Sequence, residues 1–214
     1  MISAPFPGNE KARLAALSRY QLLDTPPEPN FDNLVQLASG ICDTPISMIS
    51  LIDGQRQWFK ARHGIELKEM SRELAFCSYA ILDHKPMVVS DLREDPRFRD
   101  HPLVLGPEGA RFYAGVPLQT PAGHALGTLC VIDREPRKIS SFQLFSLTTL
   151  AQQVIQLFQQ RLYALSLQEY LSELNVRKQA LAPGGSMQTH LLASLSPELS
   201  APLTQLLSEE REML

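Results

Sequence analysis

The chain has 214 residues, of which 44% are hydrophobic and 20% are charged, and its net charge is −3. This length accommodates one domain of about 150 residues with an extension, and the composition is that of a folded chain. Weak acidity without a basic run gives no electrostatic basis for binding nucleic acid or an anionic membrane. There is no signal-peptide pattern and no apolar run of about 18 residues, so we expect a cytoplasmic protein without a membrane span.

Apolar spacing divides the first 110 residues into short elements. Asp53-Gly54 lies between two strand-like runs and predicts a hairpin with a type I′ turn, which requires positive φ angles. Residues 92–110 are polar and contain proline, which predicts a long loop with short helical turns. The other predicted elements are helices over 10–22 and 30–42, strands over 46–52 and 57–61, a short helix over 72–84 and a strand over 87–91.

The second half of the chain predicts a hairpin and then a long helix. Residues 111–134 contain two apolar runs joined by a turn at 120–123, and such runs are typical of buried strands. Ser140 and Gln143 have the spacing of a helix capping box, and the helical pattern continues to about Leu181. An imperfect heptad stripe along this helix predicts a homodimer seam. The predicted seam residues are Leu150, Val154, Leu157, Leu165, Leu171 and Leu174.

Short motifs across residues 10–162 resemble those of GAF domains. They are LLDTPPE at 22–28, DGQRQWFKA at 53–61, RELAFC at 72–77, VSD at 89–91 with DPRF at 95–98, and the hairpin at 111–134 with its final Asp133-Arg134. The resemblance is to the bacterial type found at the front of sensor kinases and diguanylate cyclases. It implies an α+β fold: a central antiparallel sheet with terminal helices on one face and a small-molecule pocket on the other, followed by a long C-terminal helix and a short helical tail.

The same resemblance sets the expected domain order. We expect an N-terminal extension over 1–9, the GAF domain over 10–162, a signalling helix or coiled coil over 163–182, a linker over 183–186 and a tail over 187–214. Such domains usually dimerise and transmit signals along the C-terminal helix.

The pocket candidates are aromatic, charged and thiol side chains near the predicted sheet. Cys77 and Cys130 have two open interpretations, as buried apolar side chains or as sites of redox sensing or chromophore attachment. Trp58 also has an alternative, in core or dimer packing. The candidates are Trp58, Phe76, Cys77, Tyr79, Asp91, Arg111, Phe112, Tyr113 and Cys130.

The ligand stays open, and the cofactor is unknown. The asparagine-lysine and phenylalanine-x3-aspartate-glutamate pattern of cyclic-nucleotide-binding GAF domains is missing, which disfavours cyclic nucleotides. The histidines and the three cysteines lack metal-ligand spacing, so we expect no metal.

The tail at 190–203, HLLASLSPELSAPL, resembles the phosphoacceptor box of histidine kinases. Pro197 stands at the position of the phosphorylated histidine, and a side chain without an imidazole nitrogen cannot form phosphohistidine. Ser196, Pro197 and Glu198 also fit a simple helix start. Because no ATP-binding domain follows in this sequence, we expect no kinase activity.

Three functions follow, with a non-catalytic sensor in bacterial signal transduction as the leading one. It would relay a ligand or redox signal through a dimeric C-terminal helix. An alternative is a regulatory protein whose degenerate tail pairs with a true sensor histidine kinase. The third is a reductase of free methionine sulfoxide, a GAF branch with clustered cysteines. It is disfavoured because Cys77 and Cys130 meet only if the fold brings them together.

Overall fold

The computed structural model describes residues 3–106 and 109–180, with side chains to residue 178. The end of the long helix near Leu181, the linker at 183–186, Pro197 and the tail at 187–214 lie outside the described residues. The predictions made for them therefore stay predictions.

The protein has the predicted α+β fold, with one six-stranded antiparallel sheet and helices on both faces. Strand order is β3-β2-β1-β6-β5-β4, so the hairpin β5–β6 lies beside β1 at the centre. In chain order the elements are α1 (Glu10–Arg19), α2 (Pro29–Cys42), β1 (Ile46–Ile52), β2 (Arg56–His63), β3 (Glu69–Ser71), a 3₁₀ turn (Arg72–Leu74), α3 (Phe76–Ala80), β4 (Met87–Val89), α4 (Pro102–Leu105), β5 (Phe112–Gln119), β6 (Ala125–Asp133) and α5 (Ser141–Ala180).

Several elements lie where the local sequence patterns predict them. The second helix, the first strand and the 111–134 hairpin are confirmed. The capping box is also confirmed, because the Gln143 amide donates to Ser140 Oγ at 3.1 Å and the Ser140 amide donates to Gln143 Oε1 at 3.0 Å. The first helix ends at Arg19, earlier than predicted, and Gln21 beyond it has a φ of 48°.

Two predicted elements are wrong. The region 72–84 is a 3₁₀ turn followed by the five-residue α3, because Ala75 between them is extended with ψ 116°. The turn at Asp53-Gly54 is not type I′, because Gly54 does not have a positive φ. The Asp53 carboxylate instead accepts the amides of Gln55 and Arg56, both at 2.8 Å, which is the Asx-turn alternative to a glycine-dependent turn.

The sheet separates two apolar cores. Because side chains alternate along a strand, each strand contributes to both. One core lies between the sheet and α1, α2 and α5, and includes Leu17, Val35 and Phe158. The other lies under α3, α4 and the long loop, and includes Phe98 and Val104. The second core surrounds the candidate site.

Helix α5 begins in one compact unit, Met1–Leu165, and its residues from Ser166 belong to a second unit. Val154 is fully buried in the first unit's core, so its prediction as a dimer-seam residue is wrong. Leu150 and Leu157 are partly buried against the same core. Leu165 and Leu174 are partly buried and Leu171 is 49% exposed, and the dimer seam proposed for these three residues stays a prediction. No helix among the described residues is long and apolar enough to cross a membrane.

Candidate functional site

A cavity of about 160 Å³ lies on the face of the sheet opposite the terminal helices. It is lined by parts of β1, β2, β3, β6, α3 and α4, and its wall is predominantly apolar. Such a volume resembles that of engineered cavities of about 150 Å³ that bind benzene. The lining residues are Ile46, Met48, Gln57, Phe59, Ile65, Leu67, Met70, Leu74, Phe76, Cys77, Leu103, Ala110, Ile132 and Arg134.

Two buried polar side chains, Gln57 and Cys77, interrupt this apolar wall. Gln57 Nε2 donates to the Cys77 sulfur at 3.2 Å. Among the described residues, none donates to Oε1, the carbonyl oxygen of the Gln57 side chain. This acceptor is therefore available at the cavity wall. A ligand with an apolar body and one polar group matches this lining, since polar groups in such sites chiefly fix orientation.

The Cys77 thiol is the centre of a polar cluster behind the cavity. Its sulfur lies 3.7 Å from the sulfur of Cys130 on β6. The hydroxyls of Thr128 and Tyr113 also reach Cys77, at 3.0 and 3.3 Å. Ser50 Oγ lies 3.0 Å from Thr128 Oγ1 and extends the cluster to β1.

Strand parity and one glycine explain how these groups meet. Thr128 and Cys130 are two residues apart on β6 and therefore face the same side of the sheet. Tyr113 lies on the neighbouring β5, and Gly115 on that strand pairs with Cys130. A Cβ at Gly115 would come within 2.2 Å of the Tyr113 hydroxyl, so the absence of a side chain leaves room for this hydroxyl near the thiols.

The two thiols are electrostatically unequal. Burial by itself raises the pKa of Cys77, but hydrogen bonds from Cys130, Thr128 and other neighbours outweigh it, so its pKa is lowered. Cys130 donates to Cys77 and is itself buried, and both effects raise the pKa of Cys130. Burial and the adjacent thiols likewise raise the pKa of Tyr113. These hydrogen bonds therefore favour the thiolate form at Cys77 over that at Cys130.

The predicted pocket residues divide into three groups. Phe76 and Cys77 line the cavity, while Tyr113 and Cys130 lie behind it in the same core. Tyr79 packs edge-on against Phe98, with ring centroids 5.0 Å apart, and is not part of the lining.

Four other candidates join Tyr79 outside the cavity lining. Trp58 and Phe112 point to the opposite face and belong to the core beneath the terminal helices. Asp91 and Arg111 form an ion pair outside the cavity lining, with Nε to Oδ1 at 2.9 Å, and this partner lowers the pKa of Asp91.

Sequence reasoning missed Met48, Gln57, Phe59 and Met70. Strand parity was the available signal, because assigning Trp58 to one face places its neighbours Gln57 and Phe59 on the other. The described part of the chain contains no group of three or more His, Cys, Asp or Glu side chains that could hold a metal ion.

The sheet, the terminal helices and the cavity have the arrangement of a GAF domain. The GAF domain family model matches residues 26–158, more than half of the chain, and this protein belongs to that family. The family assignment associates it with signal transduction.

Comparison with individual proteins agrees with this assignment. The chain is 44% identical over 137 residues to the cyclic di-GMP phosphodiesterase PA2567 of Pseudomonas aeruginosa, covering 64% of this chain and 23% of that protein. The chain therefore spans about a quarter of the length of this curated relative.

Solved structures share the fold at low identity. The GAF domain of an Acinetobacter phosphoenolpyruvate-protein phosphotransferase superposes with a TM-score of 0.54 at 18% identity, covering 72% of this chain and 95% of that chain. The blue-light absorbing form of the PixJ GAF domain from Thermosynechococcus elongatus also has a TM-score of 0.54, at 13% identity, covering 80% of this chain and 98% of that chain.

Proposed function

We propose that this GAF domain is a non-catalytic sensor that binds a small, largely apolar molecule in the cavity between the sheet and α3. The cavity carries this proposal, because it combines an apolar wall with the amide of Gln57 and the thiol of Cys77. Its volume of about 160 Å³ matches a ligand near the size of benzene, well below that of a cyclic nucleotide or a bilin.

The sheet supplies a route from the cavity to α5, since only one layer of backbone separates them. On β6, Ile132 lines the cavity while its neighbour Val131 belongs to the core packed against α5. Leu147 and Phe158 of α5 are fully buried in that core. A ligand that binds two arrangements of the sheet with different affinity would therefore shift α5, which is the thermodynamic requirement for relaying a signal.

Toluene is a suitable probe of the cavity, and thermal unfolding of the whole chain is the readout. At ten times its Kd, bound toluene stabilises the fold by about 1.4 kcal/mol, which raises Tm by roughly 3–6 °C. Met70→Trp, on the edge strand β3, should fill the cavity and abolish the shift. Val88→Trp, on the other edge strand and away from the lining, is the matched control. A wild-type Tm that does not respond to toluene contradicts the proposed cavity function.

The relay also requires a dimer, because an isolated amphipathic helix is only marginally stable in water. Light scattering at micromolar concentration should give the mass of two chains, and Leu171→Glu should lower it. Gln168→Glu, an exposed change outside the predicted seam, should leave the mass unchanged. A monomeric wild-type chain would rule out the dimer relay while leaving ligand binding to be judged by the toluene experiment.

A further inference from the structure

We propose that Cys77 and Cys130 form a reactive dithiol, which small organic hydroperoxides entering the apolar cavity oxidise to a reversible disulfide. The inference deepens the proposed function, because it rests on the same cavity and names a ligand class for it. It does not depend on the dimer.

The positions of the three cysteines distinguish this pair. The sulfurs of Cys77 and Cys130 are 3.7 Å apart, and Cys77 lines the cavity. Cys42 lies in the core on the other face of the sheet, where burial raises its pKa to about 11. The fold therefore brings two thiols together at a ligand cavity and keeps the third apart in a setting that suppresses its reactivity.

Hydrogen-bond donors around Cys77 identify it as the nucleophile. The Gln57 amide can only donate to it, and Thr128 and Tyr113 direct hydroxyls at the same sulfur. Several donors converging on one sulfur stabilise a thiolate, the form that reacts with peroxides. Cys130 retains its proton and is positioned as the resolving thiol.

The reaction proceeds in two balanced steps. The Cys77 thiol first releases its proton to water, its thiolate attacks the terminal peroxide oxygen, the O–O bond breaks, and the alkoxide takes a proton back from water to leave as an alcohol. Cys77 becomes a sulfenic acid, oxidised by two electrons, while the hydroperoxide is reduced by two. The Cys130 thiol then attacks the Cys77 sulfur, and the hydroxyl leaves with the Cys130 proton as water.

The cavity lining favours an organic hydroperoxide over hydrogen peroxide. Met48, Phe59 and Leu74 offer apolar contact to an alkyl or aryl group, which hydrogen peroxide lacks. The free Gln57 carbonyl oxygen accepts the single O–H of a hydroperoxide. The same wall would orient the terminal oxygen toward Cys77, the buried thiol beside this amide.

Closing the disulfide must shorten the sulfur separation from 3.7 Å to about 2.0 Å. Cys130 lies on a central strand paired on both sides, whereas Cys77 lies on the five-residue α3. We therefore expect α3 to move. The 3₁₀ turn before it is tied to α1, because Arg72 pairs with Glu10 at 2.5 Å. Oxidation would thus change the contacts of α1 as well as the shape of the cavity.

The test treats the reduced whole chain with stoichiometric tert-butyl hydroperoxide and follows intact mass and peptide maps. We expect loss of two hydrogens and a cross-link joining Cys77 to Cys130. Cys42→Ser should react at the wild-type rate, and Cys130→Ser should accumulate a sulfenic acid at Cys77 that dimedone traps. Oxidation of Cys42 as fast as Cys77, or no modification of either paired thiol, would overturn the inference.

Two further measurements test the route and the activation. Hydrogen peroxide should oxidise the Cys77–Cys130 pair at least tenfold more slowly than tert-butyl hydroperoxide does. Met70→Trp should slow the oxidation by tert-butyl hydroperoxide. Equal rates in either comparison would contradict entry through the apolar cavity. Tyr113→Phe removes one hydrogen-bond donor to the Cys77 thiolate, so the oxidation rate should reach half its maximum at a higher pH than in the wild type. An unchanged pH profile would count against a role of Tyr113 in stabilising the thiolate. If toluene binds but the thiols stay unreactive, this inference fails and the cavity function stands.

Discussion

Glu10 on α1 provides the sharpest test of the electrostatics in this fold. Its carboxylate receives two hydrogen bonds from Arg13, both at 2.8 Å, and one from Arg72 at 2.5 Å. The Arg13 side chain is only 1% exposed, and its Nη1 also donates to the carbonyl of Ile52 at 2.7 Å. Glu10→Gln would therefore leave two buried guanidinium groups without their counter-charge.

The expected cost follows from two independent arguments. Removing one partner of a buried ion pair typically costs about 3–5 kcal/mol, and Glu10 belongs at the lower end because 16% of its side chain is exposed. Burial by itself raises the pKa of Glu10, but the two arginines outweigh it and lower the pKa from 4.5 to about 2. Discounted for partial exposure, this lowering corresponds to about 2–3 kcal/mol of folding free energy.

The sign of the pH dependence distinguishes this explanation from simple loss of packing. A carboxylate whose folded pKa is depressed contributes its full stabilisation above pH 4.5 and loses it as the pH falls toward 2. Glu10→Gln has no such group to protonate. The stability difference between wild type and variant should therefore be greatest near neutral pH and shrink as the pH falls below 4.5.

Urea unfolding between pH 7 and pH 3 measures this difference, with fluorescence of the single, buried tryptophan Trp58 as the signal. Glu73→Gln, an exposed carboxylate beside Arg72 in the 3₁₀ turn, is the matched control and should change stability by less than about 0.5 kcal/mol. A Glu10→Gln difference that is constant across this pH range, or as small as the control, would refute the reasoning.

Two further substitutions test packing and capping. A Cβ at Gly127 would come within 1.8 Å of the carbonyl oxygen of Ser50 on the neighbouring central strand, so Gly127→Ala should lose about 3 kcal/mol or fail to fold in thermal unfolding. Gly54→Ala, with open space around it and no positive φ, should stay within about 0.5 kcal/mol of wild type, and equal effects would contradict the contact argument. Ser140→Ala removes the acceptor of the Gln143 amide and should cost about 1 kcal/mol in urea unfolding, whereas an unchanged stability would show that the cap contributes little.

Local sequence signals predicted those elements whose pattern is complete within a few neighbouring residues. The capping box at Ser140 and the alternating or continuous apolar runs of β1, β5 and β6 depend on residues close in sequence. The three-residue β3 gave no such signal, because Met70 is its only apolar residue, whereas the equally short β4 consists of three apolar residues. The break at Ala75 was also missed, since the apolar residues on either side fit one helical stripe.

The candidate site was predicted only in part, because it depends on parity and on contacts distant in sequence. Phe112 and Tyr113 are adjacent on one strand, yet they face different cores, and a choice of face by aromatic character alone placed Phe112 wrongly. Cys77 and Cys130 are 53 residues apart, and only the pairing of β5 with β6 and the packing of α3 bring their sulfurs together. No spacing rule within the sequence would have found that pair.

The two edges of the sheet have a consequence for how such a domain is used in larger proteins. Both edge strands, β3 and β4, have three residues, whereas the four strands between them have seven to nine. An edge this short offers few unpaired backbone groups to a strand from another molecule, which disfavours aggregation through added strands. At β3 and β4, strand exchange with neighbouring domains at high local concentration is thereby disfavoured.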